Sequence, residues 1–131
     1  IFMGKKDFQQ FFLVKKFIEK RYKTKIIGCK TIRDKNKLAL SSRNYLFNKN
    51  ELNIAGQISE NLFIFKKKIK NINNINNHII KEKKNLQKIF KVKIEYLELR
   101  NTKNLKISKN SIGSKLFVSY YLNNVRLIDN F

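Results

Sequence analysis

The chain has 131 residues, 42% of them hydrophobic and 30% charged, and its 30 Lys or Arg against 9 Asp or Glu give a formal net charge of +21. That length and balance describe a soluble, globular chain, either one domain with a core or a small domain plus part of another, and no apolar run reaches the roughly 20 residues of a membrane span. A single cysteine, Cys29, excludes an intrachain disulfide, and a single histidine, His78, leaves too few groups for a Ser-His-Asp triad or a zinc site.

Residues 1–4, IFMG, read as the end of a buried strand, with too short an apolar region for a signal peptide. The first residue is Ile1, which leads us to expect a chain cut from something longer. Over residues 7–21 the apolar Phe8, Phe11, Phe12, Val14, Phe17 and Ile18 fall at helical spacing, and Asp7 stands where a carboxylate can cap the helix start. Residues 25–29 form a second short strand, with Cys29 expected as a buried thiol. Strand, helix, strand makes a βαβ unit and implies a parallel sheet. Residues 30–44 are irregular apart from Leu38-Ala39-Leu40. Residues 48–70 then carry a long helix, with Leu52, Ala55, Ile58, Leu62, Phe65 and Ile69 on its apolar face. The asparagine-rich residues 71–77 read as a loop or a loose helix start, with His78 on the surface. A helix follows over 78–90, and strands over 92–99, 105–108, 115–122 and 125–129, with Asn123-Asn124 as a hairpin turn. The fold class is therefore α/β at the start, then a small α+β domain of two helices and an antiparallel sheet. We place the boundary near Thr31, giving domains 1–31 and 32–131.

Two motifs carry chemistry. In GKKDFQQ, residues 4–10, a strand hands over to a helix, a common ligand position at a parallel sheet, and helix N-termini attract anions. Gly4 lets a ligand approach the backbone, Lys6 brings a mobile positive charge, and Asp7 and Gln10 share its helix face. Such a set suits a phosphate, a ribose diol and a polar acyl substrate; a capped helix with solvated lysines fits the same residues. In LALSSRN, residues 38–44, Ser41, Ser42 and Arg43 make a phosphate clamp of hydroxyls and a bidentate guanidinium, or else a Ser-rich turn capping a short helix.

Taken together and in this order, the motifs resemble the C-terminal part of the pantoate–β-alanine ligase (pantothenate synthetase) family, which carries Gly-Glu-Lys-Asp-x-Gln-Gln and then Leu-x-x-Ser-Ser-Arg-Asn. The resemblance continues in EYLELR, residues 95–100, and VRLIDN, residues 125–130. It implies that residues 1–31 end a Rossmann-like nucleotidyltransferase domain and that 32–131 form a lid domain carrying the phosphate-binding loop. The implied reaction joins pantoate to β-alanine through a pantoyl adenylate, consuming ATP with Mg2+ and releasing AMP and pyrophosphate. The family context also implies a cytoplasmic enzyme and a homodimer at full length. By resemblance, Gly4, Lys5, Lys6 and Asp7 contact ATP, Asp7 at the ribose and Lys6 at the phosphates, while Gln10 holds pantoate. Ile32, Leu40, Ser41, Ser42 and Arg43 complete the ATP site, and Lys6, Ser41, Ser42 and Arg43 take part in catalysis. Three residues depart from the family pattern: Lys5 for glutamate, Lys30 for proline and Lys37 for glycine. The family's H-x-G-H signature and its first pantoate and β-alanine contacts lie upstream of Ile1, so the 131 residues alone are expected to be inactive. An inactive remnant of the ligase is an alternative reading.

The charge has another explanation than a nucleic-acid partner. Arg21, Arg33, Arg43, Arg100 and Arg126 are the only arginines, Pro and Trp are absent, and Lys, Asn, Ile and Phe, which have A/T-rich codons, are abundant. Nucleic-acid readers favour the Arg fork and interleave aromatic side chains for stacking, whereas these lysines are spread over the whole chain. A basic nucleic-acid-binding module is therefore the second reading, behind codon bias. Binding to oligonucleotides should accordingly be weak, indifferent to sequence and lost in moderate salt. Fluorescence anisotropy checks this, and tight binding to one sequence at physiological salt would contradict it.

Overall fold

Among residues 1–72 and 74–131, which the computed structural model describes, the chain forms five strands and three α-helices. Strand β1 (Phe2–Gly4) runs into a 3-10 turn (Lys5–Asp7) and helix α1 (Phe8–Arg21), and the chain returns in β2 (Ile27–Cys29). The two strands pair in parallel, Phe2 with Ile27 and Gly4 with Cys29, which is the expected βαβ unit. Asp7 does not cap the helix as expected. The 3-10 turn puts its backbone at φ −91° and ψ 62°, and its side chain accepts no hydrogen bond from the helix start. Cys29 is exposed, contrary to the expected buried thiol, because β2 has a strand neighbour on one side only among the described residues.

The remaining chain forms α2 (Lys49–Lys68), α3 (Ile75–Phe90), β3 (Lys93–Asn101), β4 (Ser114–Leu122) and β5 (Val125–Asn130). Helix α2 starts with a reciprocal cap, in which the Glu51 amide donates to Asn48 Oδ1 at 3.0 Å and the Asn48 amide donates to Glu51 Oε2 at 2.8 Å. The three strands are antiparallel in the order β3-β4-β5. Residues 105–108, expected as a strand, contribute only an isolated bridge between Ile107 and Arg100. The side chains of Asn101, Asn104 and Asn110 each accept a backbone N–H two residues on, and such local bonds offer the chain an alternative to a ladder. The asparagine-rich patch includes Asn73, outside the described residues. Helix α3 starts at Ile75, three positions before the expected His78, and His78 is exposed.

Successive side chains on a strand face opposite ways, and the central strand β4 uses both faces. Leu116, Val118 and Tyr120 join Ile58 and Leu62 of α2 and Leu86 of α3 in the larger core. Phe117 instead packs with Phe8 and Phe11 of α1 and with Ile26. The Phe8 and Phe117 rings meet at 5.9 Å in an edge-on arrangement. Each buried phenylalanine contributes about 2 kcal/mol by area, so this small second core fixes the βαβ unit against the sheet.

A tight hairpin joins the two parts. Arg33 and Ala39 form a bridge, Asp34 N donates to the Leu38 carbonyl at 2.8 Å, and Lys37 N donates to the Asp34 carbonyl at 2.9 Å. Asn36 lies directly over Gly56 of α2, where a Cβ would meet the Asn36 amide nitrogen at 2.0 Å, so a side chain there would push the Asn36 carboxamide aside. Lys37 has φ 69°, a left-handed conformation that a side chain opposes. The glycine expected at this position has a backbone reason, and Lys37 carries the strain. Lys37→Gly should therefore raise stability by about 1 kcal/mol, read by denaturant unfolding. A loss of stability would contradict the strain.

Candidate functional site

The residues of the first motif are brought together. Lys6, Asp7 and Gln10 line one cleft of about 160 Å³, closed on the sheet side by Tyr96, Ile128 and Asp129. Asp7 and Gln10 are exposed and Lys6 is partly exposed. Gly4 has an ordinary extended backbone, and a Cβ there would meet nothing within 4 Å, so its open side leaves room for a ligand against the chain. Lys5 faces elsewhere, into a basic recess shared with Lys30, Arg33 and Lys115.

The second motif lines a separate cleft of about 560 Å³, with Leu40, Ser41 and Ser42 facing Asp34, Asn36 and Tyr45. The hairpin sets Ile32 and Leu40 side by side, since Leu40 N donates to the Ile32 carbonyl at 3.0 Å. Both are largely exposed, at 71% and 53%, and make an apolar platform suited to a planar ring. Ser41 caps the 3-10 turn Ser42–Leu46, its Oγ accepting from Arg43 N at 3.3 Å. The hydroxyl expected at phosphate is thus the one that caps this turn. Arg43 donates from Nη1 to the carbonyl of Arg126 in β5 at 2.8 Å.

Strand β5 contacts both segments, lining the first cleft with Ile128 and Asp129 and holding Arg33 and Arg43 of the second segment. Arg33 makes a bidentate pair with Asp129, at 2.6 and 2.9 Å, and donates further to the carbonyls of Lys37 and Asn130. Its guanidinium also lies 4.7 Å from the Phe131 ring centroid. Asn130 donates from Nδ2 to the carbonyls of Lys5 and Lys6, and Lys115 donates to Asn130 Oδ1. Burial, then the positive charge of Arg33, pull Lys115 below the usual lysine range, while Asp129 opposes that shift. One strand over, Glu95 accepts from Ser119 at 2.6 Å and from Arg126 at 2.7 Å; these two bonds, the serine's first, hold its carboxyl below the usual range. The stretches 95–100 and 125–130, which the sequence marked only as resembling the family, therefore meet in space.

Arg33, Lys115, Asp129 and Asn130 were not singled out by sequence reasoning. A signal was present for three of them: Arg33 is one of five arginines in a lysine-rich chain, and Asp129-Asn130 ends a family-like stretch. Removing a buried carboxylate strands its cation, so Asp129→Ala should cost about 3 kcal/mol of stability, and Asp129→Asn less. Equilibrium unfolding checks this, and a loss below about 1 kcal/mol, the range of an exposed pair, would contradict the coupling.

Among the described residues no group of three or more His, Cys, Asp or Glu side chains is placed to hold a metal ion, and no helix is long and apolar enough to cross a membrane.

The profile of the family described as Pantoate-beta-alanine ligase matches residues 1–131. The pantothenate synthetase of Flavobacterium psychrophilum is 36% identical over 98% of this chain and 47% of its own length. That of Clostridium botulinum (strain ATCC 19397 / Type A) is 37% identical over 99% of this chain and 47% of its own. The chain thus spans about half the length of the curated relatives it matches. The crystal structure of pantothenate synthetase from Thermus thermophilus superposes with a TM-score of 0.87 at 22% identity, over 99% of this chain and 48% of that one, and shows the fold. The pantoate-beta-alanine ligase of Francisella tularensis, crystallised with beta-gamma ATP and beta-alanine, superposes with a TM-score of 0.70 at 28% identity, over 99% of this chain and 42% of that one.

Proposed function

The chain belongs to the pantoate–β-alanine ligase family, and from that premise we propose that it supplies one side of the ATP site of an AMP-forming ligase joining pantoate to β-alanine. The observation that carries this reading is the grouping of Lys6, Asp7 and Gln10 in one cleft along β5, with Arg43 anchored to that strand from the other side. A pantoate carboxylate oxygen attacks the α-phosphorus of ATP, the bond to the bridging oxygen breaks, and pyrophosphate leaves. The β-alanine amine then attacks the acyl carbon of pantoyl adenylate, loses a proton and expels AMP.

Each residue of this chain has a part. Lys6 neutralises charge on the α-phosphate and the departing pyrophosphate, where a fixed cation lowers the barrier most. Asp7, not engaged as a helix cap, accepts from the ribose hydroxyls. Gln10 orients pantoate with its amide. Ile32 and Leu40 pack on the adenine, and Gly4 and Lys5 border the nucleotide through their backbone. Ser41 and Ser42 hold phosphate oxygens, and Arg43 exchanges its carbonyl partner for phosphate. As the resemblance implies, magnesium would accompany the phosphates of ATP.

Residues 1–31 form the end of a Rossmann-like domain and 32–131 its lid. The rest of the cleft, including β-alanine contacts, comes from the N-terminal half that the relatives carry, and residues 1–131 by themselves make no pantothenate. The exposed Ile1, Phe2 and Leu13 on the βαβ unit give that half an apolar surface to cover. The full-length enzyme is a cytoplasmic homodimer.

The test is pantoate-dependent exchange between ATP and pyrophosphate in the full-length protein. Lys6→Ala should slow it on the order of a hundredfold while leaving folding intact, the size of losing one charge-stabilising donor. Arg43→Ala should impair use of ATP more than of pantoate, and Arg43→Lys should restore only part, because the bidentate fork is gone. Near-normal exchange by well-folded Lys6→Ala would remove Lys6 from the chemistry.

A further inference from the structure

We infer that Asn130 is a positioning residue for this reaction, acting through the backbone of Lys5 and Lys6 to set where the Lys6 ammonium and the Asp7 carboxylate stand. The inference rests on the reading of Lys6 as the phosphate-binding lysine. Asn130 is 3% exposed, and every polar atom it carries is engaged. Its side-chain Nδ2 donates to the Lys5 carbonyl at 2.9 Å and to the Lys6 carbonyl at 2.6 Å. Its Oδ1 accepts from Lys115 Nζ at 2.7 Å. Its main-chain N–H donates to Asp129 Oδ1 at 2.7 Å, and its carbonyl accepts from Arg33 Nη2 at 2.9 Å.

These partners leave the carboxamide one orientation. Turned over, it would set Oδ1 against two carbonyl oxygens and Nδ2 against an ammonium. They also leave little choice of residue. Aspartate has the shape but no donor for the two carbonyls, glutamine is one methylene longer, and an apolar side chain would strand three half-buried polar groups. The 3-10 turn Lys5–Asp7 is only three residues long and its N-cap Gly4 makes no side-chain hydrogen bond. Contacts from β5 thus fix the two peptide planes that precede Asp7. A shift of these planes would move Lys6 and Asp7 together, and small misplacements of reacting groups cost rate steeply.

The experiment combines two readouts in the full-length protein. Asn130→Asp keeps the shape and removes both donors. Hydrogen exchange followed by mass spectrometry should report opening of residues 4–8 about tenfold or more faster than in the wild type. Pantoate-dependent exchange should fall on the order of tenfold or more in the wild-type background, with the loss in turnover rather than in the KM for ATP. In the Lys6→Ala background the same substitution should cost at least about threefold less than in the wild type, because the part of its effect that runs through Lys6 is already lost. A structural role would lower activity by the same factor in both backgrounds, and that result overturns the inference, as does unchanged hydrogen exchange at residues 4–8. If Asn130→Asp does not fold, Lys115→Met, which releases the Oδ1 that orients the carboxamide, carries the same comparison, with the same non-additivity expected. Absence of pantoate-dependent exchange in the wild type would overturn the ligase reading instead, and hydrogen exchange then decides the Asn130 contact by itself.

Discussion

Asp129 and Asn130, adjacent at the end of β5, tie both motif-bearing segments to the antiparallel sheet. Asp129 is 7% exposed, and a carboxylate so buried persists only when paired and hydrogen-bonded. Arg33 supplies both oxygens with a donor and donates further to two carbonyls, so the hairpin that leads to residues 40–43 is pinned at its base. Asn130 does the same for the turn after β1, using neutral hydrogen bonds. Neither segment has a long regular element of its own at that point. Their relative placement depends on the sheet, and hence on the apolar packing of β4 between the helices on one face and Phe8 on the other.

That arrangement separates residues that build the site from residues free to act in it. Arg33, Asp129 and Asn130 are held by several partners each, and Lys115 is held by Asn130 Oδ1 beside the Phe8 ring. Lys6, Asp7 and Gln10 line a cleft with little holding them, and Arg43 has one carbonyl contact, which in the proposed function gives way to phosphate. A cation must stay mobile and hydrated enough to meet an incoming polyphosphate, while its backbone is fixed so that the charge arrives in the right place. The basic surplus of the whole chain adds attraction for anions but no geometry, and it weakens with salt.

Much of the architecture was legible in the sequence because it rests on periodicity. The long apolar stripe of α2, the alternation through β3 and the hairpin at Asn123 follow from spacing and turn chemistry alone, and Asn123 indeed has a positive φ of 52°. The misses have physical causes. Residues 105–108 alternate like a strand, but flanking asparagines satisfy the backbone locally. Asp7 has the right chemistry for a cap, yet the preceding 3-10 turn takes its backbone elsewhere. Cys29 is apolar in context, but the side of β2 away from β1 has no described strand against it. The motif residues were legible through their family-like order, whereas the pair that positions them was not. Arg33 and Asp129 are 96 residues apart in sequence, and a bidentate contact of that kind leaves no local pattern.

The central claim is that β5 holds the two segments so that one nucleotide meets both. The most direct measurement is a crystal structure of the protein, carrying the N-terminal half its relatives have, with a non-hydrolysable ATP analogue. The account predicts that Lys6 and Arg43 both lie within hydrogen-bonding distance of the same triphosphate, with the Arg33–Asp129 pair and the Asn130 contacts to Lys5 and Lys6 retained. A nucleotide touching only one segment, or bound with those β5 contacts broken, would contradict it.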